Sequence, residues 1–271
     1  MTWILGDAHV HLRSLSRLAS LARAAQWNFL AAEQALCAGE RAERFLFLTE
    51  SAGDSAFAHL ESLAGSLPEN LGIPTIHPTG EDNSLRLEMA DGCGVHVVAG
   101  RQIVTRESIE VLALGLTRPV ADGQPIASVL HDLAQEEALT VLPWGVGKWL
   151  GRRGQLIAEV LAGWQGDRLF LGDNGNRPFF WPLPDWFRQC GRSGFRNLPG
   201  SDPLPLPGQE ERIGGYGFGC QGAIDHARPF HSMATLLRDP ATAIHPYGAP
   251  AGLFRFFNNQ LRLRLPKKRQ G

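Results

Sequence analysis

Cysteine, excess charge and long apolar runs are all scarce in this chain of 271 residues. Its four cysteines are scattered without a CxxC pair, which argues against a zinc ribbon or a disulfide framework and favours reduced thiols. A net charge of −1 shows no excess of positive charge of the kind that binds nucleic acid or a membrane. No stretch approaches the roughly 18 apolar residues of a spanning helix, and no signal peptide is recognisable. We therefore expect a cytoplasmic protein without nucleic-acid or membrane partners, whose oligomeric state the composition leaves open.

The alternation of predicted strands and helices favours a single α/β domain, for which the chain is long enough. Residues 44–50 form a continuous apolar run typical of a buried parallel strand, and residues 126–138 and 154–162 have helical spacing. Residues 84–100 differ, because two strand-like segments flank a glycine-rich turn and predict an inserted β-hairpin. Glycine and proline concentrate after residue 143, so we expect a loop-rich C-terminal half.

The most distinctive motif comes at the start of the chain, where Asp7, His9 and His11 follow a short apolar run. Alternate side chains of a strand point to the same side, so all three would line one face, about 7 Å from one to the next. Imidazole and carboxylate groups suit Zn²⁺, Mn²⁺ or Fe²⁺. The alternative is a surface strand end with two ordinary histidines. Because the chain contains only 9 histidines, this spacing beside an aspartate favours a metal site.

Other polar residues follow later predicted strands, namely Glu50, Asp173, Asn174 and Asp202. In α/β barrels the C-terminal ends of the strands carry the active site, so these residues are candidates for it. Asp173 or Asn174 could orient a ligand, hold a metal or act as a base, although a tight Asn-Gly turn explains them equally well. Arg177, three residues further on, is a candidate for substrate binding. Asp202 is either a metal ligand or the cap of a turn or helix.

A glycine-rich segment with basic residues, 143–154, lies between a predicted strand and a predicted helix. Lys148, Arg152 and Arg153 could bind a carboxylate or phosphate near the helix N-terminus. The segment is not a Walker motif, because it lacks the Gly-Lys-Ser/Thr ending. The alternative is a surface loop whose arginines are solvated. The segment lies at the end of the strands where the active site is predicted, which favours the anion-binding interpretation. Arg212 could reach the substrate from a neighbouring loop.

The order and spacing of these motifs over about the first 205 residues resemble the PHP superfamily, the polymerase and histidinol phosphatase domain. Asp7, His9 and His11 match its first motif, Asp-x-His-x-His. The later motifs are altered. In place of the second motif, Thr-Asp-His, this chain has Thr49-Glu50-Ser51, and in place of the third, Gly-x-Glu-Ile, it has Gly100-Arg101-Gln102-Ile103. The fourth motif, Ala-His-Pro, is replaced by Val141-Leu142-Pro143, and the last, Ser-Asp-x-His, by Ser201-Asp202-Pro203-Leu204.

The resemblance implies a distorted TIM-like (β/α)7 barrel of the PHP type, related in plan to the amidohydrolases. Residues 1–271 would form one domain, in which residues 1–205 bear the motifs and residues 206–271 complete the barrel and form a tail. Relative to the family, three histidine ligands and one glutamate are lost. We expect the reduced site to bind one divalent metal ion, Zn, Mn or Fe, through the remaining acidic and imidazole groups: Asp7, His9, His11, Glu50 and Asp202.

The resulting functional prediction is a metal-dependent hydrolase, a phosphoesterase that acts on a small phosphorylated substrate. Asp202 or Glu50 would take a proton from the attacking water, and Lys148 or its neighbouring arginines would stabilise the anionic transition state. Substrate contacts would come from Arg152, Arg153, Asp173, Asn174, Arg177 and Arg212. The likeness to the amidohydrolases implies an amide or a lactone as an alternative substrate. The lost ligands support an alternative, a catalytically degenerate barrel that binds a ligand or partner without turnover.

Overall fold

The computed structural model describes residues 1–13, 15–65, 74–88, 92–190 and 194–264. The strands are β1 (Thr2–Val10), β2 (Glu43–Leu48), β3 (Thr75–Pro78), β4 (Ser84–Glu88), β5 (Gly94–Val98), β6 (Gly100–Val104), β7 (Glu110–Leu114), β8 (Leu139–Pro143), β9 (Leu169–Gly172), β10 (Tyr216–Gly222) and β11 (His245–Gly248). The helices are α1 (Leu18–Leu36), α2 (Ala56–Ser62), α3 (Ile126–Ala134), α4 (Gly151–Gly163), α5 (Asp185–Arg188), α6 (Pro229–Arg238) and α7 (Leu253–Arg264). Two 3-10 turns, Leu15–Arg17 and Gln209–Arg212, precede α1 and β10. Among these helices, none combines the length and the apolar character needed to cross a bilayer.

The strands form two sheets. A seven-stranded sheet has the order β11-β10-β1-β2-β5-β4-β3, and a four-stranded sheet has the order β6-β7-β8-β9. Parallel pairing joins β1 to β2, β2 to β5, and β8 to β9, whereas the other neighbours are antiparallel. The predicted hairpin is confirmed as the pair β4–β5, although residues 89–91 of its turn lie outside the described part of the chain.

The predicted TIM-like (β/α)7 barrel is wrong, because neither sheet closes on itself in the described part of the chain. A barrel needs an unbroken ladder of strand pairs around its circumference. Residues 195–202 make only single bridges, Leu171 with Asn197 and Asn174 with Gly200, where a further strand was expected. On the other side of β1 lies β10, which is antiparallel to it and therefore departs from the repeating strand–helix plan.

The two sheets pack against each other through a shared core. Its buried side chains come from both sheets, for example Phe45 and Phe47 of β2 and Leu112 of β7, and from α6. The outer face of the seven-stranded sheet is covered by α1, whose apolar stripe includes Leu21, Ala25 and Phe29. A second outer core lies between the four-stranded sheet and helices α3 and α4. The candidate site lies at the end of β1, beside this shared core.

Candidate metal centre

Three ligand atoms converge where β1 ends. The Nε2 atoms of His9 and His11 lie 3.2 Å apart. Asp202 Oδ1 lies 3.5 Å from the first and 3.4 Å from the second. Ligands at 2.0–2.1 Å from a tetrahedral ion are about 3.3 Å from one another, so this triangle has the dimensions of one face of a metal coordination sphere. Two imidazoles and a carboxylate are also the donor set that zinc, manganese and iron share, and the residues therefore fit such an ion.

Asp202 reaches the histidines because its loop runs directly against β1. A Cβ atom on Gly200 would lie 2.4 Å from the backbone nitrogen of His9, so only glycine permits this approach. Two backbone hydrogen bonds hold the contact, from Ala8 to the Pro199 carbonyl and from Asp202 to the His9 carbonyl. Asp202 itself has φ of 46°, a left-handed conformation that few non-glycine residues adopt. Strained backbone of this kind is typical of functional sites.

Asp7 does not join this group. Its carboxylate accepts the backbone N–H groups of His9 and Ser201 on Oδ1 and that of Gly214 on Oδ2. Complete burial raises the pKa of Asp7 to about 6, against the lowering effect of those hydrogen bonds. The side chain therefore connects β1 to two loops that are distant in sequence, and through Ser201 it positions the neighbouring Asp202.

Glu50 is also engaged elsewhere. One carboxylate oxygen accepts the backbone N–H of Phe57 in α2 at 2.6 Å, and the other lies 2.7 Å from a guanidinium nitrogen of Arg101. Both oxygens are thus engaged by other groups, the N–H of Phe57 and the guanidinium of Arg101. In the described residues the group of possible ligands around His9 and His11 contains Asp202 but not Glu50.

Gln102 is a site residue that the sequence comparison counted as a lost ligand. Its Oε1 lies 3.1 Å from His9 Nε2, so an amide oxygen stands beside the three ligand atoms. The Gly-x-Glu-Ile pattern was the signal that could have indicated it, because Gln102 occupies the glutamate position. An amide oxygen is uncharged and is a weaker metal ligand than a carboxylate.

The protonation states suit metal binding. Burial lowers the pKa of His9, which keeps its imidazole in the neutral form that a metal requires. Burial alone would raise the pKa of Asp202, but its hydrogen bonds with His11 and Asn174 act in the opposite direction, and the pKa lies below its usual range. A carboxylate that stays ionised is a good ligand and a poor proton acceptor.

The other polar residues predicted from the strand ends support the loops around the centre. Asn174 Nδ2 donates to Asp202 Oδ2 at 2.6 Å and so orients the carboxylate. Asp173 forms a buried bidentate ion pair with Arg177 at 2.7 and 2.9 Å and accepts the Tyr216 hydroxyl. Arg212 donates to the carbonyl of Gly175 at 2.7 Å and to neighbouring side chains. The structure thus directs Asp173, Arg177 and Arg212 into internal contacts.

An open cavity of about 270 Å³ exposes the centre, and His11, Asp202, Lys148, Glu110 and Trp144 are in its wall. Lys148 forms an ion pair with Glu110 there. A second groove of about 530 Å³ adjoins the cavity through shared walls.

The basic residues divide between two surfaces. Arg152 and Arg153 line a separate depression together with Arg106 and are not in the wall of the cavity. Arg13, which the sequence interpretation missed, lines both the cavity and the adjoining groove. Its position two residues after His11 was the available signal.

No protein-family model matches the chain, and no curated protein is similar to it in sequence. Solved structures do share the fold. PsfC from Pseudomonas syringae PB-5123 superposes with a TM-score of 0.51 at 14% identity, over 98% of this chain and 100% of PsfC. Endonuclease Q, in complex with a 27-mer duplex substrate with an abasic lesion at the active site, superposes with a TM-score of 0.50 at 13% identity, over 98% of this chain and 68% of that one. At such identities the likeness shows the fold alone.

The Endonuclease Q complex corrects the prediction about partners. The sequence interpretation excluded nucleic acid because the net charge is −1 and expected a small phosphorylated substrate instead. Endonuclease Q, which shares this fold, is in complex with a 27-mer duplex substrate, so the exclusion of nucleic acid on the basis of net charge is wrong. Net charge averages over the whole surface and does not describe the charge around one cavity.

Proposed function

We propose that this protein is a metal-dependent hydrolase that cleaves phosphoester bonds in nucleic acid, with one divalent ion held by His9, His11 and Asp202. The observation that carries the proposal is the triangle of ligand atoms 3.2–3.5 Å apart at the wall of an open cavity. The order of motifs resembling the PHP superfamily supports it, and so does the fold shared with Endonuclease Q.

When bound, the ion would supply a Lewis acid that activates water and polarises a phosphoryl oxygen. Lys148 and Arg13, which line the cavity, would contact the anionic oxygens of the phosphoester. Glu110, which is paired with Lys148, lies in the cavity wall beside Asp202, and we assign it as the proton acceptor. Asn174 and Asp7 would act indirectly, by holding Asp202 and its loop in place.

The surroundings of the cavity support a nucleic-acid strand as the substrate. Helix α7 contributes Phe256 and Asn259 to the wall. The same helix carries Arg255, Arg262 and Arg264 and no acidic residue. It also exposes large apolar side chains, among them Phe254 and Phe257. Positive charge interleaved with exposed aromatic rings is typical of surfaces that bind single strands, because the bases stack and the phosphates are neutralised.

The proposal is tested on metal-stripped full-length protein that has been reloaded with Zn²⁺ or Mn²⁺. Cleavage is followed on a single-stranded oligonucleotide, on a duplex with an abasic site and on an aryl phosphodiester as a probe of the chemistry. Asp202→Asn and His11→Ala should lose the ion bound at this centre and, with it, the activity. His131→Ala, an exposed histidine of α3, is the matched control and should retain both.

Two results would overturn the proposal. One is a wild-type protein that binds no metal, and the other is an Asp202→Asn variant that cleaves as fast as wild type. Stoichiometric metal without cleavage of any phosphoester would instead support the catalytically degenerate alternative. The paired side chains of Glu50 and Arg101 are the observation that favours this alternative, because they remove an expected ligand.

A further inference from the structure

A second cluster of ligand-type side chains lies at the opposite end of β1 from the candidate metal centre. Glu43 begins β2, His96 lies in β5, and His226 lies in the loop between β10 and α6. Glu43 pairs with Ile4, five residues before His9 in β1. At 3.3 Å per residue, the two clusters are therefore about 17 Å apart along the strand.

The Glu43 carboxylate lies between the two imidazoles. Its Oε2 is 3.4 Å from His96 Nε2, and its Oε1 is 3.7 Å from His226 Nε2. All three ligand atoms lie within 4.8 Å of one another. The ligands of one zinc ion are about 3.3 Å apart. The His96–Glu43 pair is already at that spacing, whereas His226 Nε2, at 3.7 Å from the carboxylate, is slightly too distant.

His96 gives this cluster its significance. Its side chain is 1% exposed; within the described residues Nδ1 has no hydrogen-bond partner, and Nε2 faces the Glu43 carboxylate at 3.4 Å. One face of its ring stacks on Phe45 at 4.8 Å, and His226 stacks at 5.8 Å. Buried polar atoms are rarely left without partners, because each one costs free energy. The separation of 3.4 Å between Nε2 and the Glu43 carboxylate is longer than an ordinary hydrogen bond, and it matches the distance between two ligands of one metal ion.

We propose that Glu43, His96 and His226 form a second metal site, which takes a divalent transition ion of the zinc class. The ion would connect the β10–α6 loop to strands β2 and β5. Two imidazoles and one carboxylate supply three ligands, and water would take the fourth position of a tetrahedral zinc ion. His226 must turn, because its ring lies only 25° from parallel to that of His96 and one ion cannot lie in the planes of both. Its side chain is 60% exposed and therefore has room to turn.

One neighbouring charge opposes binding. Arg86 pairs with His96 across β4 and β5, and its guanidinium packs against Gly94 with its Nε 3.7 Å from Glu88. A positive charge near the site weakens the binding of a cation. The site is therefore expected to bind zinc more weakly than it would without Arg86, and Arg86→Gln is expected to tighten it.

The experiment is a zinc titration of metal-stripped full-length protein against a chromophoric chelator, with Zn²⁺ alone as the probe. Wild type should bind two ions per chain, and His226→Gln should bind one. The double variant His9→Ala/His11→Ala should also bind one, and the triple variant none. His231→Gln, an exposed histidine at the start of α6, is the matched control and should keep both ions.

Stability measurements separate the two sites without any assay of activity. Zinc should raise the Tm of the His9→Ala/His11→Ala protein, and this rise should disappear when His226→Gln is added. Because His226 is exposed, its replacement leaves the core intact, whereas a substitution at His96 also disturbs packing. The proposal is overturned if wild type binds one ion that the double variant abolishes. It is equally overturned if His226→Gln and His231→Gln have the same effect.

Discussion

Replacing Asn174 by alanine should weaken metal binding without touching a ligand. Asn174 Nδ2 donates to Asp202 Oδ2 at 2.6 Å, while its Oδ1 accepts the backbone N–H of Asn176 at 2.7 Å. Removing a partner that orients a metal ligand reduces metal affinity by roughly 10–100-fold, which corresponds to about 1.4–2.7 kcal/mol. The variant also leaves the buried N–H of Asn176 unsatisfied, at a cost of about 1–3 kcal/mol to the metal-free protein.

Two measurements separate these effects. Competition with a chelator gives the zinc Kd at the candidate centre, and urea unfolding of the metal-free protein gives the loss of stability. Asn197→Ala is the control, because Asn197 accepts a backbone hydrogen bond from Asp173 at 2.9 Å and does not contact Asp202. It should destabilise the fold and leave the zinc Kd unchanged. Equal zinc affinity in wild type and Asn174→Ala would refute the reasoning, as would equal weakening in the control.

Three further predictions concern substitutions that add or remove a side-chain charge. Gln102→Glu places a carboxylate beside the ligand triangle and should tighten zinc roughly tenfold, measured by the same competition; an unchanged Kd would contradict the position of this side chain. Lys148→Met removes a positive charge from the cavity and should lower the cleavage rate roughly tenfold or more, whereas Arg153→Met should not change it, because Arg153 lies outside the cavity wall; equal losses would speak against the assignment. Glu33→Gln breaks a buried ion pair with Arg44, whose nitrogens lie 2.9 and 3.0 Å from the carboxylate, and urea unfolding should show a loss of about 3–5 kcal/mol; a wild-type midpoint would show that the pair contributes nothing.

The first motif shows how far a local pattern extends. Alternation along β1 predicts that His9 and His11 share a side, and their Nε2 atoms are indeed 3.2 Å apart. The same alternation includes Asp7, yet its carboxylate accepts N–H groups from Ser201 and Gly214. Those partners are about two hundred residues away in sequence, so no local pattern could have indicated them.

The basic residues illustrate the same limit. Lys148, Arg152 and Arg153 lie within six residues of one another, and as a sequence they form one anion-binding segment. The start of α4 separates them, because Lys148 precedes the helix and turns towards Glu110 while the two arginines lie on its first turn. A single helix start thus decides which of three similar charges reaches the cavity.

The sequence by itself predicted much of the strand–helix alternation before residue 172, the hairpin and the pair of histidines, because each depends on residues close together in the chain. It left the order of elements after Tyr216 open and expected a strand over residues 195–202, where only single bridges form. Only the tertiary structure decided that the strands form two open sheets, that Asp202 rather than Asp7 or Glu50 completes the ligand triangle, and that Arg101 neutralises Glu50. The physical reason is the same in each case. Strand closure, loop contacts such as Gly200 against His9, and ion pairs depend on groups brought together from distant parts of the chain, and their geometry exists only after packing.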